Sequence, residues 1–199
     1  MNKFDEQEFK ILCKTFNTNA EVKEVEIIVE DKAFFDKTRE NIIKDRRGEV
    51  VFCVIRPNGR IITITCEEYP QGVYRIPTGG LGHREDVVHA VKREVMEELG
   101  LTVDVKKFLG VIKIRFLYDK EHIMFYSYMF LLKEVGGRLL IDALEDEVSD
   151  IREVNCNQLY EMAESLLDIG GKWKDWGKFR YVSTMAVYEK LQMTEEKRV

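Results

Sequence analysis

The stretch Gly79–Leu101, GGLGHREDVVHAVKREVMEELGL, decides how the rest of the chain is read. Val91, Val95 and Leu99 fall three, seven and eleven residues after Val88, so an α-helix lines all four on one core-facing side. The helix is expected to begin near Asp86 and to end at Gly100, a residue suited to the left-handed conformation after a last turn. Glu94, Glu97 and Glu98, at i, i+3 and i+4, gather their carboxylates on another face. Such clustering is repulsive in an isolated helix. A divalent cation relieves it: magnesium prefers hard oxygen donors, keeps several waters and shares its remaining positions with substrate phosphates. The glycines ahead of the helix let a backbone carbonyl and amides approach a metal or phosphate without a Cβ in the way. The competing reading of an acidic helix face is a merely solvated surface.

Working outward, Tyr74-Arg75-Ile76 makes a short extended piece, and Pro77 to Gly82 is expected to break regular structure before the helix. Upstream, the apolar runs Val50 to Ile55 and Ile61 to Cys66 flank Pro57-Asn58-Gly59, whose Asn-Gly pair suits the positive φ of a tight hairpin. Further back, Phe9, Leu12, Cys13 and Phe16 recur at helical spacing, Val22 to Val29 reads as a strand, and Lys32 to Ile43 as a more polar helix. Downstream, strands are expected at Phe108 to Leu117 and Ile123 to Leu132, with Gly136-Gly137 turning the chain into Arg138 to Ile141. Helical spacing returns at Leu159, Met162, Ala163 and Leu166, and again at Val182, Met185 and Ala186. The expectation is an α/β fold with a mixed sheet covered on both faces. Residues 1–47 form a helix–strand–helix extension, 48–170 the catalytic domain, and 171–199 a helix packed on it.

The box residues Gly79, Glu85, Arg93, Glu94, Val95, Glu97, Glu98, Gly100 and Leu101 resemble, position for position, the signature of the Nudix hydrolases. Arg84 stands where the family often has a glycine just before the first box glutamate. The resemblance implies a Nudix-type α/β/α sandwich and a pyrophosphohydrolase that uses Mg2+, with Mn2+ as a substitute. It implies that Glu94, Glu97, Glu98 and the carbonyl of Gly79 hold the metal. Gly80 and Arg75, read from their place in and just before the glycine stretch, are the substrate-side candidates, Arg75 either reaching a phosphate or simply edging a strand. Glu85 and Arg93 become a charge-assisted pair tying loop to helix. Family chemistry is attack of water on a phosphorus of a nucleoside diphosphate derivative. Glu97 and Glu98 are catalytic candidates within the box; the general base often lies outside it in this family, and the best candidates there are Glu145 and Glu147, Glu147 above all, with Glu121 and Glu134 behind them.

Secondary signatures leave ADP-ribose or nucleotide-sugar and dinucleoside polyphosphate substrates both open. The proline common downstream of the box in ADP-ribose hydrolases is missing, since Pro57, Pro70 and Pro77 all lie upstream. Tyr118 matches a tyrosine of diadenosine polyphosphate hydrolases or simply packs. The N-terminal strand and helix are similar to extensions that help ADP-ribose-type relatives form homodimers and pockets. Trp173, Trp176, Phe179 and Tyr181 either stack on a base or fill the core. His83, His89 and His122 read as surface residues.

Composition narrows the classes further. The 199 residues are 45% hydrophobic and 34% charged, with a net charge of -5, which gives no global attraction to nucleic acid. The one dense basic run, Lys44, Arg46 and Arg47, reads as a solvated turn. No stretch is long and apolar enough to cross a bilayer, and the N-terminus lacks a secretory pattern, so a cytoplasmic protein is expected. Cys13, Cys53, Cys66 and Cys156 have neither disulfide nor zinc spacing and read as free thiols. Two further readings compete: a catalytically weak, nucleotide-sensing regulator on the same fold, and diphosphate isomerase chemistry. Intact box carboxylates argue against the first. The second would depend on a catalytic cysteine, whereas Cys53 and Cys66 fit buried strand positions.

Overall fold

The computed structural model describes residues 3–140 and 148–196. In chain order the elements are α1 (Glu6–Thr15), β1 (Glu21–Ile28), α2 (Lys32–Lys44), β2 (Arg46–Ile55), β3 (Ile61–Thr65), β4 (Thr78–Gly82), α3 (Val87–Leu99), β5 (Leu101–Tyr118), β6 (Glu121–Gly137), β7 (Asp150–Val154), α4 (Cys156–Ser165) and α5 (Lys174–Glu196). The strands join one mixed sheet in the order β1-β5-β6-β2-β3-β7, with β4 paired to β2. Strands β1 and β5 run parallel, as do β2 and β6, while β5 and β6 form a long antiparallel hairpin.

Burial on both faces explains why the second half of β2, Val50 to Ile55, is an unbroken apolar run. Val50, Phe52 and Val54 point into a core shared with α1 and α3, and Val51 and Cys53 into a second core shared with α2, α4 and α5. Strand β5 changes phase between these cores. Phe108 and Val111 face the first, Leu109 and Ile112 the second, and the ladder shifts register between Phe108 and Gly110. Gly110 takes φ 133°, and its backbone lies against that of Glu21, an approach that a side chain would block.

Several local expectations needed correction. Pro77 to Gly82 is not a break, because Thr78–Gly82 pairs with Val51 to Arg46 of β2. The hairpin turn holds, with the Arg56 amide donating to the Arg60 carbonyl, but only Gly59 has positive φ. Beyond Ile55 and Ile61 the two strands part, β2 pairing with β4, and β3 with β7 and Arg75. Cys53 is fully buried as expected, whereas Cys66 is half-buried just past β3. The basic run is not a solvated turn either: Arg46 and Arg47 open β2 and are half-buried. The two later strands begin earlier and end later than expected, at Leu101–Tyr118 and Glu121–Gly137.

Candidate active site

Helix α3 is set by its ends. The Asp86 carboxylate accepts from the His89 amide at 2.8 Å, and Gly100 closes the helix at φ 68°. Val91, Val95 and Leu99 are fully buried and Val88 half-buried, which rotates Glu94 and Glu98 toward β4 and leaves Glu97 exposed. Gly79 makes the close approach possible, since a methyl group there would overlap the Glu94 carboxylate.

Arg93 organises the loop ahead of the helix. Its Nε and Nη2 donate to the two Glu85 carboxylate oxygens at 2.8 and 3.1 Å, and Nη2 also donates to the Gly80 carbonyl. Nη1 reaches Glu97 at 2.7 Å and Glu94 at 3.0 Å. Glu85 in turn accepts from the Gly82 amide at 3.1 Å. The Arg93 guanidinium is the main reason the Glu85 carboxyl is pulled down to about 2. The same pairing raises Arg93.

The box carboxylates thus share one end of the sheet with Gly79, and their mutual repulsion is shielded by Arg93. Among the described residues, no three His, Cys, Asp or Glu side chains are already drawn into a ready-made metal cluster. The residue chemistry nevertheless fits a hard divalent cation: three carboxylates on one helix, of which Glu94 sits against Gly79 where a Cβ would overlap it.

The remaining expected residues divide clearly. Gly80 lies directly under Arg46, whose guanidinium carbon would be 3.3 Å from a Cβ there. Arg75 is buried: Nε donates to the Tyr69 hydroxyl at 3.0 Å, and Nη1 to the Ile76 carbonyl and the Thr78 hydroxyl. It is near enough to Glu98 to interact with that carboxylate. Glu121 is held by Arg39, and Glu134 lies 2.6 Å from Arg56, paired elsewhere. Glu145 and Glu147 lie outside the described residues. His83, His89 and His122 are exposed, and Tyr118 packs on Phe35. Trp176 and Phe179 are buried and Trp173 half-buried.

Three contributors carried no local motif. Arg47 forks onto Glu8 of α1 at 2.7 and 2.8 Å and also donates to the Gly82 and Glu85 carbonyls, so α1 braces the glycine loop. The Tyr128 hydroxyl donates to the same Glu8. Buried Glu49 accepts from Ser127 and Arg180, joining β2 to α5. Such long-range partners have no spacing signal in sequence.

The NUDIX domain model matches residues 45–176. The chain belongs to the Nudix family. It is therefore a Nudix hydrolase acting on diphosphate bonds, on the family match and its relatives. One relative is an ADP-ribose pyrophosphatase of Methanocaldococcus jannaschii, 31% identical over 125 residues, covering 61% of this chain and 72% of that protein. Another is an 8-oxo-dGTP diphosphatase of Buchnera aphidicola, 34% identical over 77 residues, covering 39% of this chain and 59% of that protein. A solved NUDIX hydrolase from Listeria monocytogenes shares the fold, with TM-score 0.50 and 16% identity, over 74% of this chain and 95% of that one.

Proposed function

We propose that this Nudix hydrolase is magnesium-dependent and cuts a diphosphate linkage in a nucleoside diphosphate derivative, of the ADP-ribose or nucleotide-sugar type or a dinucleoside polyphosphate. The observation that supports the reading is the seating of Glu94, midway along the packed helix α3, against Gly79 of β4. In this proposal the Gly79 carbonyl, Glu94, Glu97 and Glu98 hold the metal. Bound magnesium would neutralise phosphate charge and lower the pKa of a bound water, a role that Mn2+ can also fill.

The chain's own residues then position the reactants. Arg93 and Glu85 hold the end of β4 that carries Gly80 and Gly82, through the Gly80 carbonyl and the Gly82 amide, so a phosphate would approach along that glycine strand. Water forms a bond to one phosphorus while the bridging P–O bond breaks, and the leaving phosphate departs with that oxygen. The proton from water passes to a carboxylate, for which Glu98, Glu97 and Glu147 are the candidates. Free thiols at all four cysteines support a reducing cytoplasmic setting. The edge position of β1 supports a homodimer through the N-terminal segment. The partner is a small nucleotide-derived molecule, with neither membrane nor nucleic acid required.

The test is product release from ADP-ribose, diadenosine polyphosphates, nucleotide sugars and nucleoside triphosphates with magnesium, comparing wild type with Glu98→Gln. Turnover of one class, lowered about 100-fold or more by the substitution, is expected. Silence on every class, with tight nucleotide binding intact, favours a nucleotide-sensing regulator instead.

A further inference from the structure

Beside Gly80, on the α2 and α5 side of the sheet, lies a cavity of about 700 Å³, a size typical of small-molecule sites. Its lining includes Phe34, Arg46, Glu49, Trp173, Trp176 and Arg180. These residues come from α2, the first residues of β2, the turn just before α5 and α5 itself, none of them in the acidic box.

The charges in the cavity are not equivalent. Arg180 is committed to Glu49 at 2.8 Å, and Asp31 is engaged in capping α2 by accepting from the Ala33 amide. Arg46 has no carboxylate partner among the described residues, and its buried Nε has no hydrogen-bond partner. Burying part of a guanidinium without a partner is costly, and an anion relieves that cost. The same guanidinium lies over Gly80, next to the residue whose carbonyl is assigned to the metal.

The aromatic wall is packed ring on ring and connected to β4. Trp173 and Trp176 meet edge to face at 5.4 Å, and Tyr69 packs on Trp176 at 4.3 Å. Arg75 links the Tyr69 hydroxyl to Thr78, one residue before Gly79. Flat apolar rings at one end and an open guanidinium at the other match the two ends of a nucleotide.

We propose that this cavity takes the nucleoside half of the substrate, with the aromatic base against Trp173 and Trp176 and the diphosphate crossing Arg46 toward Gly79 and Gly80. The assignment rests on the hydrolase reading for its orientation, and it makes Arg46 a substrate-binding residue. Lys37 and Lys172 also line the cavity and add positive charge, against which Glu68 sets one carboxylate. An ADP-terminated or similar nucleoside diphosphate compound, rather than an isolated sugar phosphate, is the ligand class that uses both ends.

The chain's two tryptophans both line this cavity, so intrinsic fluorescence reports on it directly. Titration of the full chain with AMP and ADP in EDTA is expected to give saturable quenching, with ribose 5-phosphate and inorganic pyrophosphate giving little. Arg46→Ala is expected to weaken ADP binding about tenfold. Unchanged fluorescence with ADP, or Arg46→Ala binding as tightly as wild type, overturns the assignment. Turnover without quenching would overturn the cavity and leave the hydrolase standing; quenching without turnover of any substrate would uphold the cavity and sink the hydrolase.

Discussion

Arg93 holds three carboxylates and a carbonyl at once, which makes it the electrostatic centre of the box even though the metal is assigned to its neighbours. Any cation that recruits Glu97 must compete with this guanidinium, so Arg93 sets how readily that carboxylate swings to the metal. Its partner Glu85 gives a pH signature. The Glu85 carboxyl falls from its ordinary 4.5 to about 2 in the folded chain, chiefly through Arg93. A depressed carboxylate contributes stability that is full above the unfolded value and is lost as pH falls through the folded one. Wild type is therefore expected to melt above Glu85→Gln at pH 7, with the gap closing between pH 4.5 and about 2. A gap in Tm that stays constant across that window would show that the pair adds no proton-linked stability. Of these residues, the spacing of the box made Glu85, Arg93, Glu94, Glu97 and Glu98 legible. Arg46 was misread, because a basic run looks solvated until a strand buries its stems and one head finds no carboxylate.

Among the elements, α1 does more than its apolar stripe announces. Phe9, Leu12, Cys13 and Phe16 dock it on the first core as their spacing predicts, but Glu8 turns it into a brace for the loop through Arg47. Glu8→Ala would leave Arg47 and the Tyr128 hydroxyl without that carboxylate. A loss of about 2 kcal/mol in denaturant unfolding is expected, with a smaller fall in kcat/KM than for a box carboxylate. An unchanged unfolding midpoint would show that the brace adds nothing. The helices were readable because caps and a 3.6-residue period are local features: Asp86 and Gly100 mark the ends of α3, while the spacing of Leu159, Met162, Ala163 and Leu166 marked α4, whose Asn155–Gln158 capping box the structure adds. Strand β4 was not, since Thr78-Gly79-Gly80-Leu81-Gly82 has almost no strand propensity of its own and is extended by pairing with β2. The strands β5 and β6 outran expectation because register shifts interrupt the alternation on which a strand reading depends.

For the whole molecule, the sheet is the frame against which α3 is set, and the metal site proposed at the acidic box is where ligand binding would feed back on stability. The continuous apolar run Val50 to Ile55 of β2 and the amphipathic helix α3 carry the central layers, so the α/β sandwich was visible in sequence. The topology was less so, because which strands are neighbours depends on partners far apart in the chain, such as β1 with β5 and β2 with β6. The carboxylates on α3 oppose one another, and a cation bound only to the folded chain must stabilise it by mass action. At a concentration about 100 times its Kd, magnesium is expected to add about 2.7 kcal/mol to the unfolding free energy. For a chain of this size that corresponds to a rise in Tm of about 5 to 10 °C. Glu98→Gln is expected to lose most of the rise, with manganese acting as magnesium does. An equal rise in the variant would place the cation elsewhere on the molecule, whereas a rise that tracks Glu98 ties the metal, the loop at Gly79 and the stability of the whole sheet to one carboxylate face.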